Sequence, residues 1–390
     1  RQVRGCDRSN QVSSIFSVHS RFVRLASAVG IALVLVACSG PEKNKQLDLG
    51  PNIPLIGVRL AWSSSVGAVT FPLLVKAVGN LVYVASTDGN LAAIDARTGG
   101  DLWRVSVGSK LSAGVGSDGR YAAVVSQENE LIVLDGPKEL WRQKLGAVTM
   151  TAPFVAGARV FVLSGDRSVA AFDVVNGRKL WQQQRTGEAL VLGRSGIVMA
   201  IGDTLVAGLG GRLVGMNPAN GKIRWEAQVA NSRGTNEVER LVDMVAGVSR
   251  DGNQVCVRAF QSSVGCVDGI KGAPLWTKPA SGATGLDGDE SILFGTESDG
   301  RVIAWRRVNG ERLWVSERLR FRSLTAPIVV GQSVVMGDES GTLHFLSRKD
   351  GSPLNRMSTD GSPVVTNLVL VGQTLVAVTR SGGVFGFKPE

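Results

Sequence analysis

Histidine is almost missing from this 390-residue chain, which holds two, His19 and His344. His19 falls in an N-terminal stretch unlike the rest, and His344 sits in the strand-like run Thr342-Leu-His-Phe-Leu346. One imidazole in the body of the chain is too few for a histidine-based metal centre, and no catalytic triad can be assembled around it. Its place on a strand suits a structural role. Cysteine is scarce as well, four in all, and no Cys-x2-Cys spacing speaks for zinc. There is no Asp-x-Asp-x-Asp loop for calcium. No glycine-rich phosphate loop opens a helix, because hardly any segment reads as helical. Lysine and arginine never run together with interleaved aromatics, which argues against nucleic-acid binding. The chain therefore reads as a binding surface and not as an enzyme, with no cofactor and no metal expected.

What is present in quantity is a repeat. Asp95-x3-Gly99-x3-Trp103, Asp173-x3-Gly177-x3-Trp181 and Asp268-x3-Gly272-x3-Trp276 share one spacing. Asn217-x3-Gly221-x3-Trp225 and Arg306-x3-Gly310-x3-Trp314 keep it with a different first residue. Asp135 to Trp141 is a copy shortened by two residues, Ser347-x3-Gly351-x3-Asn355 has lost both ends, and Trp62 supplies an eighth strand-end position. An apolar hairpin precedes each turn, as in Val82 to Ile94 around Asp88-Gly89, the pattern of two strands about a tight turn. Equivalent hairpins start near Ala122, Val160, Leu205, Val255, Ile292, Val334 and Leu375. A period of roughly 40 residues with β pattern inside each unit signals a propeller or solenoid. In the turn, Asp can accept hydrogen bonds from N–H groups two or three residues on, and Gly supplies positive φ. The Trp offers a flat surface to pack between neighbouring sheets.

The last hairpin, Thr374 to Phe387, has no outer strand after it, while Gly57 to Ser65 is a Trp-bearing strand with no hairpin before it. Joining the two removes open sheet edges and closes a ring. The expectation is an all-β, eight-bladed β-propeller of four-stranded antiparallel blades over residues 57–390, closed by pairing of the terminal strands.

Residues 1–37 lie outside that scheme. Arg21 and Arg24 precede the apolar run Leu25 to Ala37, too short to span a bilayer but suited to a signal-peptide core. The run ends Leu35-Val-Ala-Cys38-Ser39, which resembles the bacterial lipobox. That resemblance implies cleavage before Cys38, acylation (palmitate among the chains) of Cys38, and an anchored mature chain. An ordinary signal peptide with an incidental cysteine is the alternative. Residues 1–20 read as an upstream extension and residues 38–56 as the lipidated cysteine with a flexible tether. Ser39 after the cysteine resembles the sorting signal for the outer membrane, periplasmic face. The formal charge of +10 includes five arginines and one aspartate in residues 1–37, so the mature chain is nearer +6. Cys256 and Cys266 flank one hairpin at positions equivalent to Tyr83 and Ala93, nearly opposite across a strand pair. In an oxidising compartment this placement suits a local disulfide.

The repeat resembles the tryptophan-docking motif of the pyrroloquinoline-quinone enzymes, which are eight-bladed propellers. This chain has no adjacent cysteines and is much shorter. A lipobox followed by eight such units is more similar to the BamB family, lipoprotein subunits of the outer-membrane β-barrel assembly machinery. Two stretches sharpen that resemblance. Gly234-Thr-Asn-Glu-Val-Glu239-Arg240-Leu241-Val-Asp243 resembles the family segment G-[ST]-x-E-[IV]-x-R-L-x-D, and Gly187-Glu-Ala-Leu190-Val-Leu192-Gly-Arg194 resembles the other stretch that meets the barrel protein BamA. Both connect an outer strand to the next blade's inner strand, in successive blades, so they should be neighbours. The resemblance implies a non-enzymatic scaffold binding BamA POTRA domains and other subunits, with unfolded barrel proteins as further partners. Leu190, Leu192, Arg194, Glu239, Arg240 and Asp243 would carry that contact. The alternative for the two leucines is that they open the next inner strand. Val245 stands where the family commonly has a second acid. The rival readings of the whole chain are a small quinoprotein dehydrogenase and a cell-wall polysaccharide-binding propeller.

Overall fold

The computed structural model describes residues 45–185, 192–231 and 242–390, and within Gln46–Glu390, one compact unit, it is an eight-bladed β-propeller. Each blade is a four-stranded antiparallel sheet. Blade one is typical, running Lys76–Val78, Leu81–Ala85, Asn90–Asp95 and Asp101–Ser106 from the centre outward. Blade eight takes three strands from the end of the chain and its outermost from the beginning. Val58–Ser65 pairs antiparallel with Gly383–Pro389, Val58 opposite Pro389 and Ser65 opposite Gly383. The ring is closed by the two termini, as the sequence led one to expect.

The two middle strands of a blade are apolar on both faces because both are covered by neighbouring blades. Val82–Ala85 and Leu91–Ile94 are accordingly buried throughout, whereas the outer strand Asp101–Ser106 alternates between exposed and half-buried residues. Antiparallel order gives the ring two unlike faces. The lower face carries the turns between third and fourth strands. The upper face carries the turns between second and third strands and the links from one blade to the next.

The lower-face turns are built as their residue types require. Asp173 Oδ1 accepts the N–H groups of Val175 and Asn176 at 2.9 and 3.2 Å, and Asp268 Oδ1 those of Ile270 and Lys271 at 2.9 and 3.0 Å. At Asp95 the guanidinium of Arg97, with its N–H, holds the carboxyl at about 2. Gly99, Gly177, Gly221, Gly272, Gly310 and Gly351 are at positive φ and are each covered by the tryptophan of the preceding blade, whereas a Cβ on Gly136, in the shortened turn of blade two, would meet nothing within 4 Å. A Cβ on Gly310, φ +69°, would stand 2.5 Å from Trp276. The indoles of Trp62, Trp141, Trp181, Trp276 and Trp314 donate to the same turn, for example Trp62 to Ala96 O at 2.8 Å and Trp276 to Arg307 O at 2.7 Å. In most blades the tryptophan faces a small third-strand residue, as with Ala93 opposite Trp103, Ala171 opposite Trp181 and Ala304 opposite Trp314, while blade two has Val133 opposite Trp141. Blade seven reverses the sizes, setting Phe345 opposite Asn355.

Cys256 and Cys266 are paired across the middle strands of blade five and joined by a disulfide, Cα–Cα 4.0 Å. His344 is buried on the third strand of blade seven, its Nε2 2.8 Å from Asp338 Oδ2.

Candidate functional site

On either side of blade four a link joins Gln184 to Val198 and Gln228 to Met244, and the described ends of both lie on the upper face. Of the six residues the sequence singles out there, Leu192, Arg194 and Asp243 are described. Leu190, Glu239 and Arg240 lie outside the described residues, as does Cys38. The two links do meet. Asp243 Oδ2 accepts the backbone N–H of Leu192 at 3.0 Å, and its Oδ1 lies 3.5 Å from Nη2 of Arg167. One carboxylate thus ties together the blade-three turn, the link into blade four and the link into blade five. Ala246 N–H adds a bond to Ser195 O at 2.9 Å, so the juncture is held by backbone as well as charge. The first strand of blade four begins only at Val198, which places Leu192 in the link and not at the head of a strand.

Arg194 is exposed and leans over the ring of Phe260 at 5.7 Å, while Phe260 N–H donates to Asp243 O at 2.9 Å. Phe260 occupies the first position of an upper turn, where blades one, two and three have Ser86, Ser126 and Ser164. A large aromatic at a small polar position was the available signal for it, and the spacing of the tryptophans did not point there. Arg167, held at φ +61°, was likewise not foreseen.

Beside this juncture is a hollow of about 240 Å³ whose wall includes Val148, Met150, Leu163, Leu209, Leu192 and Met244. Its rim carries Arg167, Arg194 and Asp243. Arg194 also borders the larger hollow of about 640 Å³ at the centre of the ring, together with Val245, Thr325 and Arg380. Val245 is buried in that wall. An apolar floor with a charged rim is the anatomy of a protein interface, and a hollow of this size accepts an apolar side chain or two from a partner.

A buried ion pair lies beside it on the upper side of the ring. Arg258 Nη1 and Glu297 Oε1 are 2.8 Å apart, both fully buried, with Arg258 over the Trp305 ring at 5.9 Å. Burial works against the Glu297 carboxylate, but Arg258 and the hydroxyl and N–H of Ser281 outweigh it and hold its pKa below the usual carboxylate value. Among the described residues no three His, Cys, Asp or Glu side chains gather as a metal-binding group would.

A family model described as outer membrane protein assembly factor BamB matches residues 87–316. A protein of that description from Burkholderia pseudomallei is 36% identical over 377 residues, covering 95% of this chain and 99% of its own. The crystal structure of BamB from Moraxella catarrhalis superposes with a TM-score of 0.77 at 22% identity, covering 85% of this chain and 99% of that one. The quinohemoprotein alcohol dehydrogenase of Comamonas testosteroni gives a TM-score of 0.67 at 15% identity over 88% of this chain and 78% of its own. At those identities the two structures share the fold.

Proposed function

The chain belongs to the BamB family of outer membrane protein assembly factors, and on that premise we propose that it is a non-enzymatic scaffold in the assembly of outer-membrane β-barrel proteins. It docks on the periplasmic POTRA domains of BamA through its upper face. Acylation of Cys38 anchors it to the periplasmic side of the outer membrane, after removal of residues 1–37. The observation that supports the docking site best is the Asp243 juncture, where one carboxylate fixes Leu192 beside a small apolar hollow. Leu192, with Leu190 from the same link, supplies apolar area to the partner. Arg194, Glu239 and Arg240 supply the charged rim, and Asp243 holds the links in register. The bonds of Asp243 to Leu192 and Arg167 prearrange part of the surface, and prearrangement lowers the entropy lost on binding.

Recovery of BamA with the affinity-purified chain tests this. Leu192→Glu puts a charge at the apolar centre of the contact and is expected to lower recovery at least roughly tenfold, the scale of a hot-spot loss. Arg194→Glu, a rim change, is expected to have the smaller effect. Undiminished recovery of both folded variants would eliminate the interface.

A further inference from the structure

The chain from Gln46 to Ile56 runs as a strap down the outside of blade seven, from its upper turn to its lower edge. Gln46 bonds Phe321 O at 3.2 Å and also Glu339. Arg318 donates to Leu49 O at 3.2 Å and Arg356 to Gly50 O at 2.6 Å. Asn355, which stands where seven blades have tryptophan, holds the lower half. Its Oδ1 accepts from Asn52 at 3.0 Å and its Nδ2 donates to Ile56 O at 2.9 Å. Leu55 N–H pairs with Leu354 O at 2.8 Å. Leu49 and Ile56 pack inward against the core, and the other large apolar side chains of the strap do not. Leu47 is 53% exposed, Ile53 72% and Leu55 68%, and Leu60 on the adjoining strand of blade eight is 46% exposed. The outer strands of blades one to six carry at most one such side chain each, for example Leu102 and Leu313. Four such side chains between Leu47 and Leu60 mark a contact surface, where a single exposed leucine does not.

We propose that this wall of blades seven and eight rests on the phospholipid surface. The proposal relies on Cys38 being the lipid anchor, as read above. Cys38 is eight residues before Gln46, and a chain of eight residues reaches at most about 28 Å. The strap fixes where that short chain leaves the propeller, so the acyl chains can enter a bilayer only close to this wall. Apolar side chains meet the acyl boundary, and the exposed cations Arg59 and Arg318 meet anionic headgroups, against the acids Asp48 and Glu317 nearby. With one side wall on the membrane, the ring stands with its axis along the bilayer plane. The upper face then looks sideways, toward a neighbour in the periplasm.

The test uses the full mature chain, acylated in cells and placed on vesicles of phosphatidylethanolamine and phosphatidylglycerol. A nitrobenzoxadiazole label goes on Ile53→Cys or Leu55→Cys in one set and on Leu102→Cys or Leu313→Cys in the other. Lipids carrying a nitroxide are expected to quench the first set several-fold more than the second. Equal quenching in both sets overturns the proposal. So does protection of position 53 that appears only when BamA is added, which would assign the wall to a protein partner. The mass of the N-terminal peptide reports the anchor separately. Acylated Cys38 with no quenching removes this inference alone, whereas an unacylated Cys38 removes the anchor reading and this inference with it.

Discussion

The two faces of the ring are made from the same strands, yet one repeats and the other does not. On the lower face, blade after blade puts a glycine at positive φ under the preceding blade's tryptophan, and the departures are few, a changed first residue, the shortened turn of blade two and Asn355 in blade seven. On the upper face the first turn position alone passes through Ser86, Ser126, Ser164, Phe260, Glu297, Asp338 and Thr379. The difference teaches where selection for folding ends. Contacts that join blade to blade must be geometrically equivalent around a closed ring, whereas links that face solvent can differ without opening it. The upper face is therefore free to carry a docking site, and the lower face is not.

The sharpest way to break this comparison lies on the upper side of blade five, where a buried charge has a structural duty. Arg258 has no exposed surface, and Glu297 is its ionic partner. Glu297→Leu strands that guanidinium, and an uncompensated buried charge costs about 3–5 kcal/mol. Chemical denaturation should show a loss of that order. The double change Arg258→Met with Glu297→Leu should restore most of it, since a well-packed apolar pair of similar volume often matches a buried ion pair. If the double variant is as unstable as the single, the pair is not the source of the loss. Neither change touches Leu192 or Asp243, so the folded double variant should still retain BamA.

A smaller effect separates packing from backbone strain on the lower face. Gly310 and Gly157 are both at positive φ, +69° and +57°, but a Cβ at Gly157 meets nothing within 4 Å whereas one at Gly310 meets Trp276 at 2.5 Å. Gly157→Ala should cost about 1 kcal/mol, the conformational penalty for a non-glycine residue there. Gly310→Ala adds displacement of the indole, about 1–3 kcal/mol more for overpacking. Equal melting temperatures for the two would mean that the tryptophan dock is soft and that the turn, not the dock, sets the repeat.

Blade number, strand order and closure by the termini were all legible in the sequence. A period of strands and turns is a local signal, and eight copies of it leave little choice of topology. The pairing of Leu192 with Asp243 was legible as proximity, because two links on one face of successive blades must be close. What could not be seen was anything set by tertiary contact alone. Phe260 enters the site because Arg194 folds over it and its N–H bonds Asp243 O. Asn355 looked like a decayed repeat, and its structural role appears once Phe345 is seen opposite and the strap is seen bonded to it. The composition of the strap suggested loose tether. Its backbone found partners in Arg318, Arg356 and Leu354, far away in sequence.

The mildest test sets one upper turn against its neighbours by pH. Asp338 holds the place that Ser86 and Thr379 hold in blades one and eight, and it accepts Thr342 N–H at 3.0 Å as Ser86 Oγ accepts Asn90 N–H at 3.2 Å. Like Ser86 and Thr379 it is fully buried, and unlike their hydroxyls it is ionisable. Burial alone would raise its pKa, but hydrogen bonds from His344, Ser340 Oγ and Thr342 N–H together carry it well below the ordinary carboxylate range. The folded pKa is thus below the unfolded value of about 4. The stabilisation is fully present above that unfolded value and is lost as pH falls through it toward the folded one. Asp338→Asn keeps the shape and removes the titration. The wild-type chain should lose more stability than Asp338→Asn between about pH 5 and pH 3, read as the change in denaturant midpoint, with Glu297 contributing equally to both. Parallel midpoints over that range would show that the Asp338 carboxylate is no better off in the fold than in the unfolded chain. The turn would then owe its order to the backbone, as its serine and threonine counterparts do.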